Sequence, residues 1–175
     1  MPKTIPPPSS DEYADFHAGY IAAVAHEVDA IAALERQQAA IGKLRGLTAD
    51  QAGHRYAPDK WSIREIVGHL TDAERIFSYR LLRFARKDAT PLPGFDENPY
   101  VEAAEFDRRT LPDLLAELAS VRDATLRLLR GLPDDAFARR GVASSGTLSV
   151  RALAYVIAGH ELHHREVLKT RYGIG

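Results

Sequence analysis

Apolar residues recur at steps of three and four in four separate stretches of this chain. Between Glu12 and Leu44, the positions Ile21, Val24, Val28, Ile31, Leu34 and Ile41 trace one stripe, the pattern of a helix with a single buried side. Ser9-Ser10-Asp11-Glu12 offers that helix a capping box, and Gly46 a stop. Ile63, Val67, Leu70, Ile76, Phe77, Leu81 and Leu82 mark a second helix that runs to about Arg86. Its start signal is the clearest in the chain: Ser62 as N-cap, Glu65 at N3 to close the box, and Trp61 placed to staple onto Ile66. Thr110 caps a third helix with Pro112 in its first turn and Asp113 at N3. Leu114, Leu118, Val121, Leu128 and Leu129 form its stripe, and Gly131 ends it. The fourth spans Ser149 to Tyr172, with Leu148 placed to staple onto Leu153 and Gly173 as its stop.

The intervening segments lack a period. Thr48 to Lys60, with Gly53 and Pro58, reads as a connection. Lys87 to Arg109, interrupted by Pro91, Pro93, Gly94 and Pro99, reads as irregular chain long enough for a lid or pocket wall. Leu132 to Thr147, with Pro133, Gly141, Ser144, Ser145 and Gly146, reads as a linker without a convincing strand. Four amphipathic helices and no sheet predict an all-α fold, a four-helix bundle. Residues 1–8, rich in proline, are expected to form an extended, poorly ordered arm, and residues 9–175 one domain.

Composition narrows the function. With 175 residues the chain has enough material for one core and too little for two domains. A formal charge of −1 with interspersed signs gives no electrostatic footprint for nucleic acid or an anionic membrane. There is no cysteine, which excludes disulfides, thiolate metal ligands and a cysteine nucleophile. The start shows no apolar leader and no run is long enough to span a bilayer, so the expected location is the cytoplasm.

The chemistry concentrates in Gly159-His160-Glu161-Leu162-His163-His164. Four residues apart at about 100° per residue, His160 and His164 lie on one helix face, one turn apart. Such a pair alone is more often a surface feature than a ligand pair. A catalytic metal site commonly has three protein ligands plus water, and the best third nitrogen is His69, at the border of the second helix's buried side. His163 is turned away by 100° from His164 and is expected at the site's edge or in solvent. His17, His26 and His54 have no partner at metal-ligand spacing.

Trp61-Ser62-Ile63-Arg64-Glu65-Ile66-Val67-Gly68-His69-Leu70-Thr71-Asp72-Ala73-Glu74, followed by a closing helix with His160-Glu161-Leu162-His163-His164, resembles the DinB-like superfamily, also called the DinB/YfiT-like metalloenzymes. The resemblance covers nearly the whole chain after the arm. Its most specific parts are the Trp-Ser-Ile start, the His-Leu-x-Asp-x-Glu step and the His-x-x-His-His ending. It implies a bundle of the DinB/YfiT type whose second and fourth helices bring His69, His160 and His164 onto one divalent ion. Zinc, nickel and iron are associated with members. Characterised members include transferases and isomerases that use low-molecular-weight thiols, and others are named as hydrolases.

Neutral imidazoles suit such ions, and three of them leave a position open for water or substrate. The expectation is therefore a metal-dependent enzyme that transfers or adds a thiol to a small electrophile, or a metal-dependent hydrolase. The alternative of another class is a non-catalytic metal- or ligand-binding bundle. Asp72, three residues after His69, is the candidate to orient a ligand or move a proton; the competing reading pairs it with Arg75 or Arg80 on the surface. Glu74 lies half a turn further round and enters through the motif, and Glu161 is expected in solvent. Trp61 can line the pocket or act only as a staple. Arg151, Tyr155 and, in the long connection, Phe95, Asp96, Glu97, Asn98 and Tyr100 are candidates to face substrate. The expected partners are a small-molecule substrate, a low-molecular-weight thiol and, through an exposed helix face, a second copy in a homodimer. Nucleic acid and membrane are not expected.

Overall fold

A computed structural model describes residues 3–27, 29–144 and 146–174; Val28 of the first apolar stripe and Ser145 of the last linker lie outside them. The described residues form α1 (Ala18–Ala23), α2 (Ala30–Ile41), α3 (Ala49–Gly53), α4 (Ile63–Ala85), α5 (Glu97–Ala104), α6 (Leu111–Gly131) and α7 (Val150–Tyr172). One antiparallel hairpin, β1 (Arg140–Ala143) with β2 (Gly146–Ser149), pairs Arg140 with Ser149 and Ala143 with Gly146.

The three later helices begin and end where the side chains dictate. Ser62 Oγ accepts from the Glu65 N–H at 3.1 Å while Glu65 accepts from the Ser62 N–H at 2.7 Å, so both orphan donors of α4 are satisfied. Thr110 caps α6 and Ser149 caps α7 in the same sense, and α7 ends on Gly173 in the left-handed region.

The first helix does not run through. One-turn 3₁₀ segments at Ser10–Glu12 and Asp15–His17 precede α1, and the chain restarts at α2. The restart is an N-cap that periodicity cannot reveal: Asp29 accepts from the Ile31 and Ala32 N–H groups at 3.3 and 3.1 Å. Both segments bury the same side, so the stripe continues across the break. The arm is likewise extended but fastened. Ile5 is buried, its N–H donates to Asp29 at 2.6 Å, and its carbonyl accepts from the Ala30 N–H and the Tyr155 hydroxyl. Three further expectations of irregular chain are corrected by local capping and pairing. Thr48 caps α3 and Asp96 caps α5, while Arg140–Ala143 and Gly146–Ser149 pair as the hairpin, onto which Leu92 adds through bonds with Val142 and Ser144.

The architecture is a four-helix bundle of α2, α4, α6 and α7. Here α4 packs on α6 and α7, α2 packs on the same two, and α1 lies against α7. One apolar cluster gathers the start of α2 and α7 with the end of α4 and α6; the other gathers Ile41 of α2 and Leu168 of α7 with the start of α4 and α6. Hence α4 and α6, consecutive and neighbouring, run parallel. The chain must retrace the 23-residue α4, about 34 Å at 1.5 Å per residue, to begin α6, and residues 86–110 make that return.

Between the two apolar clusters lies a polar belt. Arg122 on α6 grips Glu74 on α4 with three bonds of 2.8–3.1 Å, bonds Glu161 on α7 at 2.8 Å, and donates to the Leu34 carbonyl on α2 at 3.0 Å. A single guanidinium therefore ties all four helices together.

Candidate metal centre

The capped start of α4 sets His69 two turns into the bundle. Residue 68 before it is a glycine onto which Phe106 of the return segment packs, and any Cβ there would stand 2.4 Å from the Phe106 ring. The opposite pair is framed in the same manner. Gly159, just before His160, lets the backbone of α1 approach so closely that a Cβ would meet the Tyr20 carbonyl oxygen at 2.0 Å.

His69, His160 and His164 converge, with one ring nitrogen from each lying within 4.8 Å of the others. The Nε2 atoms of His69 and His160 are 3.1 Å apart, and the three ring centroids are separated by 4.7–5.0 Å. His69 and His160 are buried and His164 partly so. Burial, then the neighbouring imidazoles, pulls their pKa values down, to about 4 for His69, about 3 for His160 and about 2 for His164. All three are therefore neutral at physiological pH, the form in which an imidazole lone pair binds a metal. Buried, neutral and convergent, this donor set fits one divalent transition ion.

The histidines form one end of a cavity of about 400 Å³. Trp61 covers them: its ring centroid is 4.7 Å from that of His69 and, nearly parallel, 6.3 Å from that of His164. Trp61 thus belongs to the pocket wall as well as to the apolar cluster around Ile66. Tyr20 stands edge-on to His160 and His163 at 5.5 and 5.8 Å, and Phe77 edge-on to His160 at 5.6 Å. The return segment supplies Gly94, Phe95 and Glu97, and the far end is closed by His17, Arg80 and Ser144.

The structure sorts the remaining candidates. Asp72 does not line this cavity; it faces α6, 3.5 Å from Arg75, which also reaches Glu117. Its three-residue step from His69 turns it far enough round α4 to leave the pocket, and burial raises its pKa against the opposing pull of Arg75. Asp72 thus forms the ion pair with Arg75 that was its competing reading in the sequence. Glu161 is buried, not solvated, and is held with Glu74 by Arg122. His163 is exposed at the cavity rim. Tyr155 is consumed by its bond to Ile5, Arg151 by its ion pair with Glu12, and Asp96 by capping α5. Phe95 and Glu97 do face the cavity, and Tyr100 packs on Phe95 at 5.5 Å.

Arg80, His17 and Tyr20 are among the wall residues that the sequence did not mark. Arg80 was legible in principle: eleven residues after His69, it falls within about 20° of the same face of α4, three turns on. For His17 and Tyr20 no local signal exists, because they reach the site only through the packing of α1 on α7.

The fold and site together define a four-helix-bundle protein in which three convergent imidazoles on α4 and α7 form a candidate site for a divalent metal ion. Residues 32–168 match the DinB superfamily. The chain belongs to that superfamily. Among solved structures it is similar to YfiT from Bacillus subtilis, described as a probable metal-dependent hydrolase with an unusual four-helix bundle topology. The TM-score is 0.71 and the identity 22%, with 83% of this chain and 87% of that one covered. No curated protein sequence matches. No helix among the described residues is long and apolar enough to cross a membrane.

Proposed function

We propose that the protein is a metal-dependent enzyme acting on a small molecule, with His69, His160 and His164 as the protein ligands of one divalent transition ion. The observation that carries this reading is the opening of three neutral imidazoles, two buried and one partly so, onto an aromatic-walled cavity of about 400 Å³, rather than into a closed fourth ligand. An ion held there supplies a Lewis acid that lowers the pKa of a bound thiol or water.

The chain's own groups favour thiol transfer onto an electrophile. Both buried carboxylates beside the histidines, Glu74 and Glu161, are engaged by Arg122, whereas activating water benefits from a free base. A thiol, with an ordinary pKa near 8.5, needs less help to ionise. Tyr20, Phe77 and Phe95 give the reacting end an apolar wall. Hydrolysis is the second reading, supported by the description of YfiT.

The test begins with metal content by elemental mass spectrometry on untagged protein purified without chelators, beside the His160→Ala/His164→Ala variant. About one equivalent of zinc, nickel or iron in the wild type and none in a folded variant is expected. The loaded protein is then given 1-chloro-2,4-dinitrobenzene with glutathione, cysteine or bacillithiol. Metal-dependent conjugation supports transfer; metal-dependent turnover of nitrophenyl esters by water alone would move the reading to hydrolysis. An empty wild type after incubation with all three ions would overturn the enzyme reading and leave a ligand-binding bundle.

A further inference from the structure

Arg80 is a buried cation without an anionic partner among the described residues. Its residue is 4% exposed, and its bonds among the described residues run from a single nitrogen to two neutral oxygens, the Pro93 carbonyl at 2.8 Å and Ser144 Oγ at 3.1 Å. Burying a guanidinium without a carboxylate is costly, and burial does lower the pKa of Arg80. The other buried arginine of the bundle, Arg122, has two carboxylates. Arg80 instead lines the cavity that ends at the histidines.

Its surroundings there are those of a ligand pocket. The guanidinium stands over the rings of Phe77 and Phe95, at 5.9 and 5.8 Å from their centroids. Beside it His17 is 6% exposed and its Nδ1 is buried with no hydrogen-bond partner. Phe77 is also the ring 5.6 Å from His160, so one aromatic side chain spans the space between the arginine and the histidine cluster.

We infer that Arg80, with His17 and Ser144, forms an anion-binding subsite, so that the substrate is a small molecule whose carboxylate or comparable anionic group is held across Phe77 from its reacting atom. The inference deepens the proposed function and rests on it for the word substrate; the anion subsite itself does not depend on a metal. The planar guanidinium suits a carboxylate bidentately, and displacing neutral oxygens with a charge relieves the cost of its burial. The apolar part of the molecule lies between Phe77, Phe95 and Tyr20, and its electrophilic atom points to the histidines. Glu97, the acid of the cavity wall, is exposed and sits near Tyr20.

Trp61, the only tryptophan, lies in this cavity and provides the readout. Phenylacetate and its neutral isostere phenylacetamide are titrated against zinc-loaded and metal-free protein while Trp61 emission is followed. Phenylacetate is expected to bind saturably and at least tenfold more tightly than phenylacetamide. Arg80→Gln is expected to weaken phenylacetate at least tenfold, leaving phenylacetamide and zinc content unchanged. The His160→Ala/His164→Ala variant is expected to keep the preference for the acid. Equal binding of acid and amide by the wild type, or unchanged phenylacetate binding by Arg80→Gln, would overturn the subsite and leave Arg80 as a tie between Pro93 and the hairpin. Phenylacetate binding lost only with the histidine pair would place the anion on the metal, overturning this inference while sparing the proposed function. A wild type that takes no zinc yet binds phenylacetate through Arg80 does the reverse. If Arg80→Gln does not fold, Arg80→Lys replaces it: retained preference for the acid upholds the subsite, and equal affinity for the two probes overturns it.

Discussion

The Nε2 atoms of His69 and His160, contributed by α4 and α7, stand 3.1 Å apart in a buried setting. Two nitrogens bound tetrahedrally to zinc at about 2.0–2.1 Å would be separated by about 3.3–3.4 Å. The bundle thus holds the pair close to ligating geometry, at the expense of keeping both imidazoles uncharged.

That expense sets the acid limit of the metal-free protein. The folded pKa values of His69 and His160, about 4 and about 3, lie below the ordinary 6.5, so between pH 6.5 and 4 the unfolded chain binds protons that the folded chain refuses. Stability is complete above about 6.5 and falls as pH drops, by up to about 1.4 kcal/mol per pH unit for each histidine. Urea midpoints of chelator-treated protein should fall from pH 7 to pH 5. The His69→Gln/His160→Gln variant should show a shallower decline; an equal decline would mean that other groups govern it.

The grip of Arg122 predicts an asymmetry between its partners. Arg122→Met strands two buried carboxylates and should cost about 3–5 kcal/mol in chemical denaturation. Glu161 carries an unpartnered Oε1 and a pKa raised first by burial, so Glu161→Gln removes a charge that the site tolerates poorly and should change stability by less than about 1 kcal/mol. Equal losses for the two would contradict the arrangement.

Gly159→Ala adds one methyl where the Tyr20 carbonyl lies 2.0 Å away. Alanine normally favours a helix interior by about 1 kcal/mol, but overpacking against backbone costs about 1–3 kcal/mol and wins here. The variant should melt at a lower temperature with α1 displaced. Zinc content should be unchanged, since the three histidines sit on α4 and α7, and Trp61 emission should report a more open cavity.

Asp72→Asn should leave metal content and turnover unaltered and shift stability by less than about 0.5 kcal/mol, because its partner Arg75 is half exposed and has Glu117 besides. A large drop in kcat with intact zinc would return Asp72 to the reaction.

The sequence disclosed α4, α6 and α7 almost to the residue, because caps and stripes agree at Ser62, Thr110 and Ser149. Spacing alone put His160 and His164 on one face, but His69 was joined to them mainly through the resemblance of its segment; the structure brings the three together. The break at Asp29 stayed hidden, because a stripe reports which side is buried and not whether the axis continues. Burial of Glu161 was illegible for a related reason: its partner Arg122 lies 39 residues away, on another helix. The contribution of His17 and Tyr20 depends on Gly159, whose meaning appears only when α1 is laid against it.

The return from α4 to α6 is a strap buckled at both ends. Leu92 is bonded to the hairpin, while Phe106 covers Gly68 and Asp107 accepts from the Ser62 hydroxyl at 2.6 Å. Its span answers to the length of the helix beneath, whereas in the middle Phe95 and Glu97 face the cavity and Tyr100 backs Phe95. Exchange or insertion of residues there would reshape the cavity wall while leaving α4 and α7, which carry the histidines, in place, so that the metal-binding candidates and the surface they open onto occupy different parts of the same chain.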